Sequence, residues 1–306
     1  MTFIEALKNN DTEWMKHIPK GDLHNHITRG GNKRYIEKWS NKTIPNCPKF
    51  NSLDEMNDWN QMHIKPLFQG REGYEKRIEA SFVQAQMDGV KVLHMSVSLG
   101  EELFYDNSVE ALVKNLNRLH QTYAPDIKFI PEIAGATYMD DDEMDYRLDQ
   151  FLDQSYFKSF DMYGDEFAVP TYTKLYKKLR KKGLILKAHV GEFGTAELVR
   201  EAVDALELDH VQHGIAASKS KEVMTYLRDN HIQLNICPSS NVSLNRAKDY
   251  KTHPIKTLYG NGIKVTINSD DMLIFDQSVS DEYFHLYHAG VFSPEELNEI
   301  RKNSLF

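Results

Sequence analysis

Two histidines in the stretch Gly21-Asp22-Leu23-His24-Asn25-His26-Ile27 are the first residues in this sequence whose types and spacing suggest chemistry. In an extended strand successive side chains alternate faces, so His24 and His26 point the same way while Leu23 and Asn25 point the other. Imidazoles that share a face can share a metal ion, although such a pair is more often hydrogen-bonded structure. The reading therefore turns on whether more ligands follow. His189-Val190-Gly191-Glu192, His213-Gly214 and Asp270-Asp271 each stand at the end of a short apolar run. His24, His26, His189 and Asp270 make a plausible donor set for a catalytic divalent ion that keeps a position open for water. Taken singly, His189 reads as a hydrogen-bonded core residue and Asp270-Asp271 as a helix cap. Taken together they favour one site, because polar groups left unpaired at the ends of apolar strands are costly. Glu192, past the turn that Gly191 allows, could swing over that site and hand a proton to a substrate. His213 could orient or deprotonate a water, and Gly164, with no side chain to block close approach, could offer its N–H to a planar ligand.

The elements that must position these residues are legible as a repeat. Short apolar runs at Asp22–Ile27, Val90–Val97, Ile127–Ile133, Ser159–Tyr163, Leu184–Val190, His210–His213, Ile232–Ile236 and Lys264–Ile267 alternate with helical stretches. In Thr195–Leu206 the apolar residues Leu198, Val199, Ala202, Val203 and Leu206 share one face, and Tyr74, Ile78, Phe82 and Ala85 follow the same period. Ser293-Pro294-Glu295-Glu296 has the pattern of a capping box with proline at the first helical position. Eight strand–helix units predict an α/β fold, a TIM-type (β/α)8 barrel in a single domain over residues 1–306, with a doubly wound open sheet as the alternative. In such a barrel, functional groups collect at the C-terminal ends of the strands, where all the candidates fall. The stretch from about 32 to 70 has a poor pattern and reads as helix-containing loop, a possible lid.

Composition narrows the function classes. A chain of 306 residues with 41% hydrophobic and 27% charged residues is ordinary for a soluble globular protein. The net charge of -8 argues against a nucleic-acid-binding surface, and the local lysines Lys177, Lys178, Lys181 and Lys182 fit a solvated helix end. With only Cys47 and Cys237, neither a disulfide framework nor a four-thiolate zinc site is possible. Cys237-Pro238 has no second cysteine nearby, which also excludes the cysteine-ligated type of base deaminase. No long apolar run suggests a membrane span or leader, so a cytoplasmic location is the expectation, with no membrane partner.

Six segments together resemble the adenosine deaminase family of metal-dependent hydrolases: Pro19-Lys20-Gly21-Asp22-Leu23-His24-Asn25-His26, Gly164-Asp165-Glu166, His189-Val190-Gly191-Glu192, His213-Gly214, Cys237-Pro238-Ser239-Ser240-Asn241 and Asn268-Ser269-Asp270-Asp271. They come in the family's order and span residues from about 19 to 300. The resemblance implies one zinc ion per chain, held by His24, His26, His189 and Asp270. It implies Glu192 as proton donor to purine N1, His213 beside the attacking water, Asp271 on the N7 side and the Gly164 amide on the N3 side. Glu192, His213 and Asp271 would then be catalytic, and Gly164, Asp271, Thr28 and His26 would bind substrate.

One departure bears on the substrate. Two residues after the second histidine the family's adenosine enzymes usually carry an Asp that holds the ribose, and here the residue is Thr28. The expected reaction is hydrolytic deamination of a small purine, adenosine or deoxyadenosine to inosine or deoxyinosine plus ammonia, with a weak sugar requirement. The alternative is a related amidohydrolase acting on adenine, an adenine nucleotide or another aminated heterocycle. A third class, a binding protein that kept the fold and lost catalysis, would have no reason to hold Glu192 and His213 together. Arg29, Lys33 and Arg34 beside Thr28 could meet a phosphate, but as loop cations they read first as solvent-facing.

Overall fold

The alternation of apolar runs and amphipathic segments resolves into eight strands: β1 (Lys20–His26), β2 (Val90–Ser98), β3 (Lys128–Ala136), β4 (Ser159–Tyr163), β5 (Ile185–Val190), β6 (His210–His213), β7 (Gln233–Ile236) and β8 (Lys264–Ile267). In the computed structural model, which describes residues 1–305, they form one parallel sheet in the order β1 to β8. Strand order that follows chain order is that of a (β/α)8 barrel. A doubly wound sheet reverses order at a switch point, and none is present among the described residues.

Closure between β8 and β1 is made by residues beyond the end of β8. Asn25 bridges Asp270, the Asp270 N–H donates to the His24 carbonyl (3.0 Å), and the Leu23 N–H donates to Asn268 Oδ1 (2.8 Å). Asp22 accepts from the backbone and the hydroxyl of Ser269 at 3.2 and 2.5 Å. The seam of the barrel thus brings Asp270 directly beside the two histidines of β1.

The apolar faces expected from the sequence are those that pack on the sheet. Leu198, Val199, Ala202, Val203 and Leu206 are buried on helix Ala196–Leu206, and Tyr74, Ile78, Phe82 and Ala85 on helix Gly70–Met87. Ser293 and Glu296 form the anticipated capping box at helix Pro294–Lys302. Inside the barrel the layer below the site is polar. Lys187, fully buried, lies 2.7 Å from Glu132 Oε2, donates to the Leu23 carbonyl (2.9 Å) and meets His94 Nδ1 at 3.0 Å. Glu132 also accepts from Ser159 Oγ at 2.8 Å, so this charge pair has the further hydrogen bonds a buried pair requires.

The poorly patterned stretch from 32 to 70 contains helices Lys33–Ser40 and Leu53–His63. Two small apolar clusters hold it over the barrel mouth: Ile36, Ile44 and Ile64 against Ala80 and Leu273, and Phe50 and Met56 against Leu244, Ile274 and Phe275. Its weak periodicity follows from this arrangement, since its few buried residues are scattered over separate short segments rather than along one helix face. Among the described residues no helix is long and apolar enough to cross a membrane.

Candidate active site

Each side chain singled out from the sequence comes from the C-terminal end of a strand. His24 and His26 end β1, His189 is the last residue but one of β5, and His213 closes β6. Gly164 follows β4, Glu192 lies two residues beyond β5, and Asp270 and Asp271 follow β8 at the seam. Two of these ends carry an unusual backbone: His213 (φ +60°) and Asp270 (φ +57°) are left-handed without being glycine. Such conformations cost free energy and persist where the surroundings fix them.

One donor atom each from His24, His26 and His189 lie within 4.8 Å of one another. His24 Nε2 is 3.0 Å from His189 Nε2, and Asp270 Oδ1 is 3.0 Å from His26 Nε2 and 3.7 Å from His24 Nε2. Ligands about 2.0–2.1 Å from a tetrahedral ion stand roughly 3.3 Å apart, so these spacings suit one small divalent ion. The other ring nitrogens are occupied from behind: His24 Nδ1 by the Asn235 carbonyl (3.2 Å), His26 Nδ1 by Ser96 Oγ (2.8 Å), His189 Nδ1 by Asp161 Oδ2 (2.9 Å). That arrangement turns the Nε2 atoms inward, as supporting partners do around metal-binding histidines. The chemistry of the donors agrees with their placement. Burial pushes His24 down to about 3, leaving its nitrogen lone pair free at neutral pH. His189, despite burial, is raised to about 9 by the charge of Asp161, so a metal entering there must displace a proton.

Two further triads come equally close, His26, Asp270 and Asp271, and His24, His213 and Cys237. The second adds a sulfur donor that the sequence reading did not include. Cys237 Sγ, however, lies 3.3 Å from His24 Nδ1, on the back of the ring, and burial pushes its thiol well up. It is a poorer donor than the four residues that face inward.

Glu192 and His213 are adjacent, with Glu192 Oε2 3.4 Å from His213 Nε2. Burial, reinforced by the charges of Asp270 and Glu166, raises the Glu192 carboxyl well above its ordinary range, which favours its protonated form. Asn241 joins the pair: its amide donates to Glu192 Oε1 (2.8 Å) and to His213 Nδ1 (3.1 Å). Burial keeps His213 neutral, and with Nδ1 accepting, its own proton sits on Nε2, facing the carboxylates. This favours an orienting role for His213 over that of a base.

The Glu192 loop is itself held by Glu166. Its carboxylate accepts four backbone N–H groups, from Gly191 (2.6 Å), Glu192 (3.1 Å), Phe193 (2.8 Å) and Gly194 (3.0 Å). Gly164 has φ +114°, and a Cβ there would come within 2.4 Å of Thr137 Oγ1, so the turn after β4 requires glycine. Among the site residues to which sequence reading gave no role are Asp161, Glu166 and Asn241. The last two lie inside segments already singled out, and that was the one available signal.

Of the three cations near Thr28, only Arg34 is exposed as expected. Lys33 is buried, donating to Asn46 Oδ1 (2.8 Å), and Arg29 lies 2.9 Å from Asp271 Oδ2. The solvent-facing reading fails for both because helix Lys33–Ser40 folds back onto the loop after β8. Thr28, Arg29 and His26 line a cavity of about 400 Å3 together with Gly164, Glu192, His213 and Asp271.

With this geometry in view, comparison with known proteins is decisive. The family model described as adenosine deaminase matches residues 93–306. The chain belongs to the adenosine deaminase family. A Treponema pallidum protein named provisionally as an adenosine/adenine deaminase is 29% identical over 282 residues, covering 91% of this chain and 94% of its own. By structure the chain is similar to an adenine deaminase of Arthrobacter aurescens, with TM-score 0.80 and 22% identity over 94% of this chain and 92% of the other. It is also similar to the Arabidopsis N6-mAMP deaminase, with TM-score 0.79 and 15% identity over 95% and 93%. These two likenesses establish the shared barrel. Membership of the family places the chain among the metal-dependent hydrolases of the purine-deaminase type, and Asp270, Glu192 and His213 all lie within the matched span.

Proposed function

We propose that this protein is a metal-dependent deaminase that hydrolyses the exocyclic amino group of an aminopurine. The observation that carries this reading is the pairing of a four-residue donor set with a buried carboxyl, Glu192, at the same cavity. His24, His26, His189 and Asp270 would hold the ion, with zinc the best match to three nitrogens and one oxygen, one per chain. When bound, such an ion supplies Lewis acidity and makes a water molecule acidic enough to attack near neutral pH. The chain's own residues do the rest. Glu192 delivers its proton to purine N1 as attack occurs at C6, which makes the ring electron-poor at the reacting carbon. His213, neutral and fixed by Asn241, orients the attacking water. Asp271 takes the N7 side of the ring and the Gly164 N–H the N3 side, and of the two protons that the attacking water gives up one completes the departing ammonia and one replaces the proton that Glu192 delivered, so that ammonia leaves from a purine held edge-on between β4 and the seam.

The named substrate of relatives differs: adenosine or adenine for the Treponema protein, adenine for the Arthrobacter enzyme, a modified nucleotide for the Arabidopsis one. Thr28 can offer one hydroxyl to a sugar but no charge. This supports the broader reading, an aminopurine not restricted to adenosine and deoxyadenosine. Metal analysis of protein purified without chelator tests the donor set. We expect about one ion per chain, lost in His24→Ala and in Asp270→Ala. Full occupancy in both variants would rule the set out. Comparing kcat/KM for adenine, adenosine and deoxyadenosine on one metal-loaded preparation then ranks base against nucleoside.

A further inference from the structure

Beyond the donor set, the cavity carries three cations that the deamination chemistry does not use: Arg29, Lys65 and Arg77. They come from the loop after β1, the 3-10 turn Lys65–Leu67 and helix Gly70–Met87. In a barrel whose strands follow chain order, the β1–β2 side lies across the mouth from β5 and β6, which supply Glu192 and His213. Arg77 is fixed rather than mobile. Its Nε donates to the Thr28 carbonyl (2.6 Å) and its guanidinium lies 5.2 Å from the centre of the Phe68 ring.

These charges are under-compensated. Among the described residues no carboxylate oxygen lies within 4.0 Å of a side-chain nitrogen of Arg77 or Lys65, whereas Arg29 has Asp271. The other acids of the cavity are committed: Asp270 among the imidazoles, Asp271 to Arg29, Glu166 to four backbone N–H groups, Glu192 to the Asn241 amide. Glu101 is left. Its carboxyl accepts from Tyr74 Oη (2.8 Å), and burial raises it to about 7, so that near neutrality it neutralises the cations only in part. Lys65 is exposed at the rim, and its ammonium is made less favourable by partial burial and by Arg77 and Arg29. Like charges gathered in a cavity with too few counter-charges are stabilised by an anion that enters it. A planar guanidinium with a free edge suits a phosphate or carboxylate in particular.

We infer that Arg77 and Lys65, with the free edge of Arg29, form an anion-binding subsite, and that the substrate carries an anionic group remote from the amino group it loses. The shared chemistry is a phosphate monoester or a carboxylate on the sugar side of an aminopurine. This rests on the deaminase reading for the orientation of the substrate but not for the binding itself. The cavity has room for both parts, since pockets of a few hundred Å3 enclose ligands of this size.

The test is calorimetric binding to the metal-loaded protein of product-like ligands that cannot turn over: inosine, inosine 5′-monophosphate and inosine 5′-carboxylate. At least one of the two anions should bind about tenfold or more tightly than inosine, the effect of one charge-assisted contact. Whichever is tighter names the source of the charge. Lys65→Ala, at an exposed position that does not threaten folding, and Arg77→Gln, which keeps a donor for the Thr28 carbonyl, should each reduce that preference several-fold. Thr28→Asp, which places a carboxylate beside Arg77, should reduce it too. Equal affinities for inosine and both anions, a preference untouched by all three variants, or no binding of any of the three ligands would overturn the subsite. Anion preference without ammonia release from any aminopurine would leave the subsite standing and refute the deaminase reading instead.

Discussion

At the scale of single residues the site depends on carboxyls whose surroundings hold them at different protonation states. Asp270, although buried, is held well below the usual range by the imidazoles around it, while Glu192, also buried, faces other carboxylates and is shifted toward its protonated form. In the proposed mechanism this difference suits Asp270 to hold a metal ion and Glu192 to give up a proton. Glu192→Gln keeps the shape and removes the proton, so turnover should fall by roughly 10²–10⁴-fold while metal content is unchanged, as metal analysis and steady-state kinetics on the same sample would show. Wild-type turnover in that variant would sink the mechanism. Glu282 offers a separate test, of stability. It is fully buried, accepts the Ser239 N–H at 2.9 Å, and burial raises its carboxyl to about 8. The folded state therefore keeps a proton that the unfolded chain gives up near pH 4.5, and stability falls as pH rises from there to about 8. Glu282→Gln removes this penalty. Its advantage in urea denaturation over the wild type should be near zero or negative at pH 4.5 and should grow by a few kcal/mol, as an order of magnitude, by pH 8. A difference independent of pH would contradict the assignment.

Between residue and fold stands the way one element fixes another. Glu166, in the loop after β4, ties down the loop after β5 through four N–H groups, and an amide in its place can accept at one oxygen only. Glu166→Gln should cost about 1–3 kcal/mol in chemical denaturation and lower kcat by misplacing Glu192, with the metal retained. Unchanged kcat would show that the Glu192 loop needs no such anchor. This kind of contact marks what the sequence hides. The eight strands were legible to within three residues at either end because apolar runs alternate with helices, and His24, His26, His189, His213 and Asp270 were legible because they sit where those runs stop. Glu166 and Asn241 were visible as parts of segments but not as partners, since each acts on residues 25 or more positions away. Arg77 gave no signal at all. It sits on a helix, where a cation normally faces water, and only the fold brings it to the Thr28 carbonyl.

At the scale of the whole molecule, the seam between β8 and β1 is where architecture and chemistry coincide. The same backbone hydrogen bonds that close the barrel set Asp270 against His24 and His26, so that a bound ion would tie the first strand to the segment after the last. Chelation should therefore lower the melting temperature as well as activity, and zinc should restore both, because a ligand bound only by the folded state adds RT ln(1 + [L]/Kd) to stability. The central claim, a metal-dependent aminopurine deaminase, is tested most directly by ammonia release. Adenine, adenosine and adenosine monophosphate would be offered in turn to the metal-loaded protein, to the chelated protein and to chelated protein given zinc again. The account predicts ammonia in step with loss of the amino group from at least one of the three, abolished by chelation and recovered with zinc. No ammonia from any of them with the metal site full, or release that survives chelation undiminished, would contradict it.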